Sequence, residues 1–524
     1  VCPVDCIHPT PAEPGFATAE MLYVDPDVCI DCGACVEACP VDAAKDELDL
    51  EPREVVFLQL NASYYKTARD PAAQTKIEPV KREAVAGLRV AVVGAGAAGC
   101  FTALQLLRNP GVTVDMFERE LVPFGLVRFG VAPDHQDTKA VTKIFDQLAS
   151  KRGFTLHLGV EIGRDLLPED LAAGYHAVVY ATGAGEPRQL EVEGAHMPGL
   201  VAAAHVYGWY NSSLEPELDE LDLSSETVVI VGNGNVALDI GRTLLSSGTD
   251  LGRSDISSRA VAHLENSPTR EVVVLGRRGP ESAAFTTPEL VGLTFDEDVA
   301  VRVEPAGAVD AALELPDLDP LTRVKLELMR DLADQADAGA ERQLVLRFWS
   351  RPAIIRGVDR VDGVVVVEQA PDSAPREITI ETSTVISSIG LGARPLEGVP
   401  HDADRGFIPT MDHRVLDADG TPSRGLYAVG WAAQGSSGGI GTNKLLSQRT
   451  ATAIEDDYAA GHLGQVADDA AQKVTDALAS ADRLGMEDWR RLDAQERAAG
   501  ADAGRPRIKA STRQEILDIL ARAH

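Results

Sequence analysis

The stretch Leu88-Arg89-Val90-Ala91-Val92-Val93-Gly94-Ala95-Gly96-Ala97-Ala98-Gly99 decides the fold of this 524-residue chain. The apolar run predicts a buried strand. The G-x-G-x-x-G spacing opens an Ala- and Leu-rich helical stretch through Leu107, and together they form a dinucleotide-binding strand–turn–helix unit. Gly94, Gly96 and Gly99 let the backbone approach a pyrophosphate, whose charge is held by N–H groups at the helix N-terminus. A second strand pattern, Val112 to Phe117, ends at Glu118, 24 residues past Gly94. A carboxylate there suits a free ribose hydroxyl, so the ligand is expected to be FAD or NAD.

The pattern recurs at Thr227-Val228-Val229-Ile230-Val231, followed by Gly232-Asn233-Gly234-Asn235-Val236-Ala237. Ala237 stands where a third glycine would, a position that serves helix–strand packing. The next strand, Glu271 to Leu275, ends in Gly276-Arg277-Arg278 where the first unit has an acid. Two guanidiniums predict a 2′-phosphate and hence NADP, since Arg makes bidentate, charge-assisted contacts with phosphate. The 45 residues from Gly232 to Arg277 are a long interval. Residues 249–270, with a helical pattern near 254–265, read as an insertion that accounts for it.

Toward the N-terminus, Cys29-Ile30-Asp31-Cys32-Gly33-Ala34-Cys35-Val36-Glu37-Ala38-Cys39-Pro40 reproduces C-x2-C-x2-C-x3-C-P, the bacterial ferredoxin run. Cys29, Cys32 and Cys35 then need a remote fourth ligand for a 4Fe-4S cluster, and Cys2, followed by Pro3, fits. Cys39 belongs in this pattern to the other cluster, of 3Fe-4S or 4Fe-4S type, whose further ligands would lie upstream of Val1. A zinc site is disfavoured, because such sites pair two separated C-x2-C units. Cys100 reads as a small packing thiol, and Cys6 is either a ligand reserve or a small buried thiol.

Length implies about three domains. The formal charge of −32 argues against nucleic acid, whose recognition needs a clustered cationic face, and no long apolar run exists to cross a bilayer. Neither a basic n-region nor an apolar h-region opens the chain, so a cytoplasmic location is expected, and the missing Met suggests that the first residues are absent. Residues 1–50 hold eleven acids and one base, Lys45, a surface suited to docking on a basic partner face. Residues 51–87, punctuated by Pro52, Pro71 and Pro79, read as a partly ordered linker. The tail from Asp456 is helical in pattern and carries no recognisable chemistry.

From about Leu88 to the C-terminus the chain resembles the adrenodoxin reductase-type ferredoxin–NADP reductases, notably the actinobacterial ones fused to an N-terminal ferredoxin. The residues that carry the likeness are Pro123-Phe124-Gly125-Leu126-Val127-Arg128-Phe129-Gly130-Val131-Ala132-Pro133-Asp134-His135, the Gly232 to Asp239 turn, Gly276 to Pro280, Val429-Gly430-Trp431, and Gly439-Ile440-Gly441-Thr442-Asn443-Lys444. The resemblance implies flavin contacts at Gly99, Glu118, Leu126, Val160, Trp431, Gly438, Gly439 and Ile440. It also implies adenosine 2′-phosphate contacts at Arg277, Arg278 and Glu289, a pyrophosphate turn at Gly234 to Ala237, and a proton-relaying pair, His135 and Asp239, near the flavin. One block departs from the family: Lys-Arg-Gly-Pro-Thr-Gly is usual after the tryptophan, whereas Ala432-Ala433-Gln434-Gly435-Ser436-Ser437-Gly438 stands here. The lost cations suit electron delivery within one chain, where tethering relaxes the need for strong docking.

The expected architecture is α/β: two Rossmann-like nucleotide-binding domains, the FAD domain interrupted by the NADP domain, preceded by a small α+β ferredoxin domain. The divisions fall at 1–50, 51–87, 88–200, 201–382 and 383–524. The expected activity is that of a flavoprotein oxidoreductase passing electrons between NADPH, FAD and the iron–sulfur cluster, with ferredoxin or another one-electron acceptor as partner. An electron-input subunit such as the small subunit of glutamate synthase is the alternative, disfavoured by the Trp431 block. A non-enzymatic redox carrier or sensor is disfavoured by the intact Arg277 and Arg278. A disulfide reductase is disfavoured because Cys100 stands alone in the flavin region.

Overall fold

The computed structural model describes residues 2–11, 13–39, 41–66, 85–214, 218, 220–246, 251–295, 298–336, 340–466, 468–479 and 483–522. Two sheets organise them. In the first, the strands run in the order Thr410–Met411, Arg414–Leu416, Pro422–Ala428, Ala177–Tyr180, Arg89–Val93, Thr113–Glu118, Phe154–Leu158. The last five are mutually parallel, and the outer two join antiparallel. In the second, the order is Val299–Glu304, Arg342–Arg347, Glu271–Leu275, Thr227–Val231, Val385–Ser387, Leu200–Ala202, all parallel. Parallel strands covered on both faces need apolar residues on both, which is why Val90 to Val93 and Val228 to Val231 run without alternation and are all buried.

Chain order reverses direction across the sheet beside each glycine turn. Arg89–Val93 has Thr113–Glu118 on one flank and Ala177–Tyr180 on the other, and Thr227–Val231 lies likewise between Glu271–Leu275 and Val385–Ser387. The crevice outside the carboxyl ends of such strands is where nucleotides bind in this architecture. Because Val385–Ser387 pairs with Val229–Val231, the chain returns to the first domain after Ser387 and not at 383.

A three-stranded antiparallel sheet, Ser350–Gly357, Val361–Glu368 and Arg376–Glu381, covers the outer face of the second sheet. Its Ile355, Val361, Val364 and Val366 pack on Val229, Val273, Val345 and Val385. The helix Asn235–Leu245 and its neighbours cover the other face, where Val228, Ile230, Val272 and Val274 are buried.

Among the described residues, the N-terminal module holds an antiparallel pair, Ile7–His8 with Tyr23–Val24, and the short helix Ala34–Ala38. Of the expected linker, residues 67–84 lie outside the described residues. Its first part folds as the helix Val56–Tyr64, which packs on Pro320–Gln335 of the second domain. Tyr23, Leu60 and Val324 form the buried centre of that contact, and Tyr23 stacks on Tyr64 at 4.1 Å.

The C-terminal segment ties the two large domains together. Lys509 Nζ, fully buried, donates to Asp255 Oδ2 at 2.9 Å and Asn211 Oδ1 at 3.0 Å, while Lys139 Nζ reaches Asp255 Oδ1 at 2.6 Å. Burial alone would raise the Asp255 carboxyl, but Lys509 and Lys139 outweigh it and hold it down at about 2. Nearby, Arg128 meets Glu496 through two bonds of 2.9 and 2.5 Å, both side chains buried.

Candidate functional site

The two glycine turns share one construction. Gly94 has φ +106° and Gly232 has φ +105°; a Cβ would lie 2.4 Å from the Ala181 carbonyl oxygen in the first and 2.3 Å from that of Ser388 in the second. Each turn is thus pressed against the neighbouring strand end, and only glycine fits. Gly96 and Gly234 cap the helices Ala97–Leu106 and Asn235–Leu245 with extended backbone, and a Cβ on either would meet nothing within 4 Å. Open space in front of helix N–H groups is the form a pyrophosphate requires. Gly99 and Ala237 fill the packing position: a Cβ on Gly99 would lie 2.0 Å from Gly94 O, and Ala237 is wholly buried.

Around the first turn the structure gathers most of the residues implied as flavin contacts. Glu118 Oε2 accepts from Ala95 N at 2.8 Å, and Val160 N donates to the Glu118 carbonyl. Burial pushes the Glu118 carboxyl up. Phe124, in the left-handed region at φ 83°, donates its N–H to Ala95 O, and a Cβ on Gly125 would stand 3.3 Å from Gly96 Cα. Leu126, next in the chain, opens the short helix Leu126–Phe129. A second helix start faces this turn, because Gly439 caps Ile440–Ala459 and Ser447 Oγ bonds Ala98 O at 2.9 Å. Gly430 is sandwiched there, its missing Cβ lying 2.7 Å from both Ala98 Cβ and Asn443 Oδ1. Trp431 Nε1 donates to Gly438 O at 3.2 Å and closes the loop; Ala432 is fully buried, while Gln434 is exposed. Glycine turns at two helix N-termini, with Glu118 at the end of the next strand, have the form a dinucleotide such as FAD requires.

The second turn leads to Arg277 and Arg278, both exposed at the end of Glu271–Leu275. Arg278 Nη2 reaches Ser282 O at 3.5 Å, and Arg277 makes no hydrogen bond or ion pair among the described residues. Two guanidiniums without carboxylate partners fit a 2′-phosphate. The Asn235 side chain is committed to the protein: Oδ1 accepts from Thr286 N at 2.8 Å and Nδ2 donates to Thr286 Oγ1 at 3.2 Å. Val236 is partly exposed at the mouth of the turn.

Between the two sites His135 Nδ1 lies 3.7 Å from Asp239 Oδ1. Glu289, grouped by resemblance with the arginine pair, stands beside His135 and Asp239, the three side chains placing ligand atoms within 4.8 Å of one another. Its Oε1 is buried without a hydrogen-bond partner among the described residues. Burial, and then the Glu289 carboxylate, push the Asp239 carboxyl well above its ordinary range. Arg242, which sequence reasoning missed, organises the group: Nη2 reaches His135 Nε2 at 3.0 Å and Asp239 Oδ1 at 2.9 Å, and Nη1 pairs with Asp134. Its place three residues after Asp239 on one helix was a readable signal.

No disulfide joins the cysteines of the N-terminal module. The Cys6 N–H bonds Cys2 Sγ at 3.3 Å and holds the Cys2 thiol below its ordinary range, whereas burial pushes Cys6 up to about 12. Cys6 Sγ lies 3.2 Å from Cys2 Sγ. Cys29 approaches Asp31 Oδ1 at 3.4 Å, Cys32 is exposed, Gly33 turns the loop at φ +69°, and Cys35 sits on Ala34–Ala38. Cys39 Sγ accepts from Ala43 N at 3.1 Å. Unpaired thiols on a tightly turned loop fit a cluster.

The family described as pyridine nucleotide-disulphide oxidoreductase matches residues 88–278, and the 4Fe-4S binding domain matches residues 22–45. The chain is 40% identical over 533 residues to the probable ferredoxin/ferredoxin–NADP reductase of Mycobacterium leprae, covering all of this chain and 95% of that protein. It is 36% identical over 458 residues to the human mitochondrial NADPH:adrenodoxin oxidoreductase, covering 82% of this chain and 92% of that one. Among solved structures, Mycobacterium tuberculosis FprA in complex with NADPH superposes with a TM-score of 0.75 at 34% identity, covering 83% of this chain and 99% of that chain.

Proposed function

Because the chain belongs to the ferredoxin–NADP reductase family, in the branch that carries its own ferredoxin module, we propose that its residues divide the transfer of electrons between NADPH, FAD and a 4Fe-4S cluster as follows. Gly232, Gly234 and the N-terminus of Asn235–Leu245 receive the NADP pyrophosphate, and Arg277 and Arg278 clamp the 2′-phosphate. Gly94, Gly96, Gly99 and Gly439 form the flavin cradle, with Glu118 at the ribose and Leu126, Val160, Trp431, Gly438 and Ile440 lining it. Cys2, Cys29, Cys32 and Cys35 hold the cluster, and Cys39 is set apart for a second one. When bound, FAD and the cluster supply the conversion of a two-electron hydride donor into single electrons.

The observation that carries this reading is the meeting of His135, from the flavin domain, with Asp239, from the helix that starts at the NADP turn. That meeting supports a reading in which the two nucleotide sites face each other. His135 and Asp239 hold or move the proton that accompanies electron transfer, Arg242 orients both, and Glu289 shares the burden of charge with Asp239. Arg242 donates to His135 Nε2, so the imidazole carries its proton on Nδ1, the nitrogen nearer Asp239. The acidic N-terminal module suits onward delivery to a basic partner such as a further one-electron acceptor. No described helix is long and apolar enough to cross a membrane.

An anaerobic NADPH titration followed by visible spectra and EPR tests the reading. Flavin bleaching followed by the signal of a reduced cluster is expected. Bleaching with no cluster signal would remove the iron–sulfur assignment, and absence of bleaching would remove the NADP assignment. The double variant Arg277→Ala/Arg278→Ala should lose about tenfold or more in NADPH affinity while leaving NADH affinity nearly unchanged.

A further inference from the structure

The contact between the ferredoxin module and the NADP domain contains one charged group that reaches into the nucleotide site's own support. Glu20 Oε1 pairs with Lys325 Nζ at 2.6 Å, and its Oε2 accepts the Thr287 N–H at 2.8 Å. Lys325, buried on Pro320–Gln335, also donates to the Phe285 carbonyl at 3.0 Å. Thr287 is thus held directly by the ferredoxin module, and Phe285 by Lys325, the NADP-domain side chain that Glu20 pairs with. Thr286, between them, is held from the opposite side by the two bonds to Asn235, the first residue of the helix that opens the NADP turn. Thr286 Oγ1 also accepts from Glu289 N at 3.4 Å, so the same three residues start the turn that carries Glu289 to Asp239 and His135.

Resting on the assignment of the Gly232 turn to NADP(H), we propose that Glu20 is a positioning residue that couples docking of the ferredoxin module to nucleotide binding through the Phe285–Thr287 segment. With the module docked, Glu20 and Lys325 fix that segment in the conformation that presents Asn235 and Glu289 to the nucleotide. Without them the segment must be ordered when the nucleotide binds, and affinity falls. Linkage is reciprocal, so NADP+ strengthens docking of the module by the same factor. A purely mechanical tether would behave differently, since it would alter transfer to the cluster and leave the nucleotide untouched.

The test uses the full-length holoprotein. Glu20→Gln keeps the side-chain shape and removes the charge; Lys325→Met removes the partner; the double variant reports their coupling. Arg449→Met is the control, because Arg449 Nη2 bonds Pro11 O at 3.0 Å and so ties the same module to the flavin domain, away from the Phe285–Thr287 segment. NADP+ dissociation constants are read from the flavin difference spectrum, and NADPH bleaching of the flavin is timed separately from the EPR signal of the cluster. Glu20→Gln and Lys325→Met should each weaken NADP+ about five- to fiftyfold. The double variant should be little worse than either, and Arg449→Met, which leaves the Glu20–Lys325 contact in place, should lose clearly less than either. Affinity in Glu20→Gln within twofold of the unmodified protein would overturn the proposal, as would an equal loss in Arg449→Met. If the unmodified holoprotein failed to bind NADP+ at all, the NADP assignment itself would fall instead.

Discussion

Replacing Glu455 by Gln should make the protein more stable in alkaline solution and leave it unchanged in acid. Glu455 lies on the helix Ile440–Ala459, whose other end forms part of the flavin cleft, and it is only 9% exposed. Burial drives its carboxyl from an ordinary 4.5 up to about 7, against the opposing effect of the Asn109 Nδ2 bond at 2.7 Å. A raised folded-state pKa means that the native state holds the proton more tightly than the unfolded chain. The associated stability is fully present below pH 4.5 and is lost as pH rises through 7. At 1.36 kcal/mol per unit, the loss amounts to about 3 kcal/mol by pH 8. The side chain introduced by Glu455→Gln carries no charge, and its amide oxygen can still accept from Asn109. Urea titrations of the two holoproteins at pH 5, 6, 7 and 8, followed by circular dichroism and FAD release, should show a stability gap that widens with pH to about 3 kcal/mol in favour of the variant. A gap that stayed constant, or that narrowed as pH rose, would refute the assignment of a neutral buried Glu455.

Three further outcomes follow from packing and charge. Gly232→Ala would push a Cβ to 2.3 Å from the Ser388 carbonyl oxygen in a backbone at φ +105°, so thermal melts should show about 1–3 kcal/mol of destabilisation. Gly234→Ala, with nothing within 4 Å of the added carbon, should melt normally yet weaken NADP+ in a titration, since that open space belongs to the ligand. Glu496→Gln leaves the buried Arg128 without its bidentate carboxylate, and chemical unfolding should register a loss of about 3–5 kcal/mol.

The nucleotide domains are legible in the sequence because their signals are local. A strand, a glycine turn and a helix start follow one another without interruption, and Glu118 and Arg277 stand at the ends of the next strands. The cysteine run is equally compact. What escapes a reading of the sequence depends on pairings between distant segments. The strand Val385–Ser387 is three residues long and gains its identity only by lying between Thr227–Val231 and Leu200–Ala202. The antiparallel sheet at 350–381 is hidden for a different reason: its strands carry no chemistry, and no glycine turn or cysteine run marks them. Glu20 and Lys325 are 305 residues apart and have no pattern in common. Glu289 is grouped with the phosphate arginines by resemblance alone, and its place beside Asp239 and His135 depends on the turn beginning at Thr286.

The Lys139–Asp255–Lys509 knot has a consequence for biosynthesis. Lys509 leaves the ribosome 381 residues after Arg128, whose carbonyl it will bond. At ordinary elongation speeds the delay is roughly 20 to 75 s. Once made, Asp255 has Lys139 but lacks its second cation until Lys509 follows 254 residues later, and Arg128 waits for Glu496. The flavin domain, whose first strand is made early, therefore finishes closing only when nearly the whole chain has been synthesised. A nascent chain stalled before residue 496 would expose an unlatched seam between its two nucleotide domains, the form most open to chaperones and proteases.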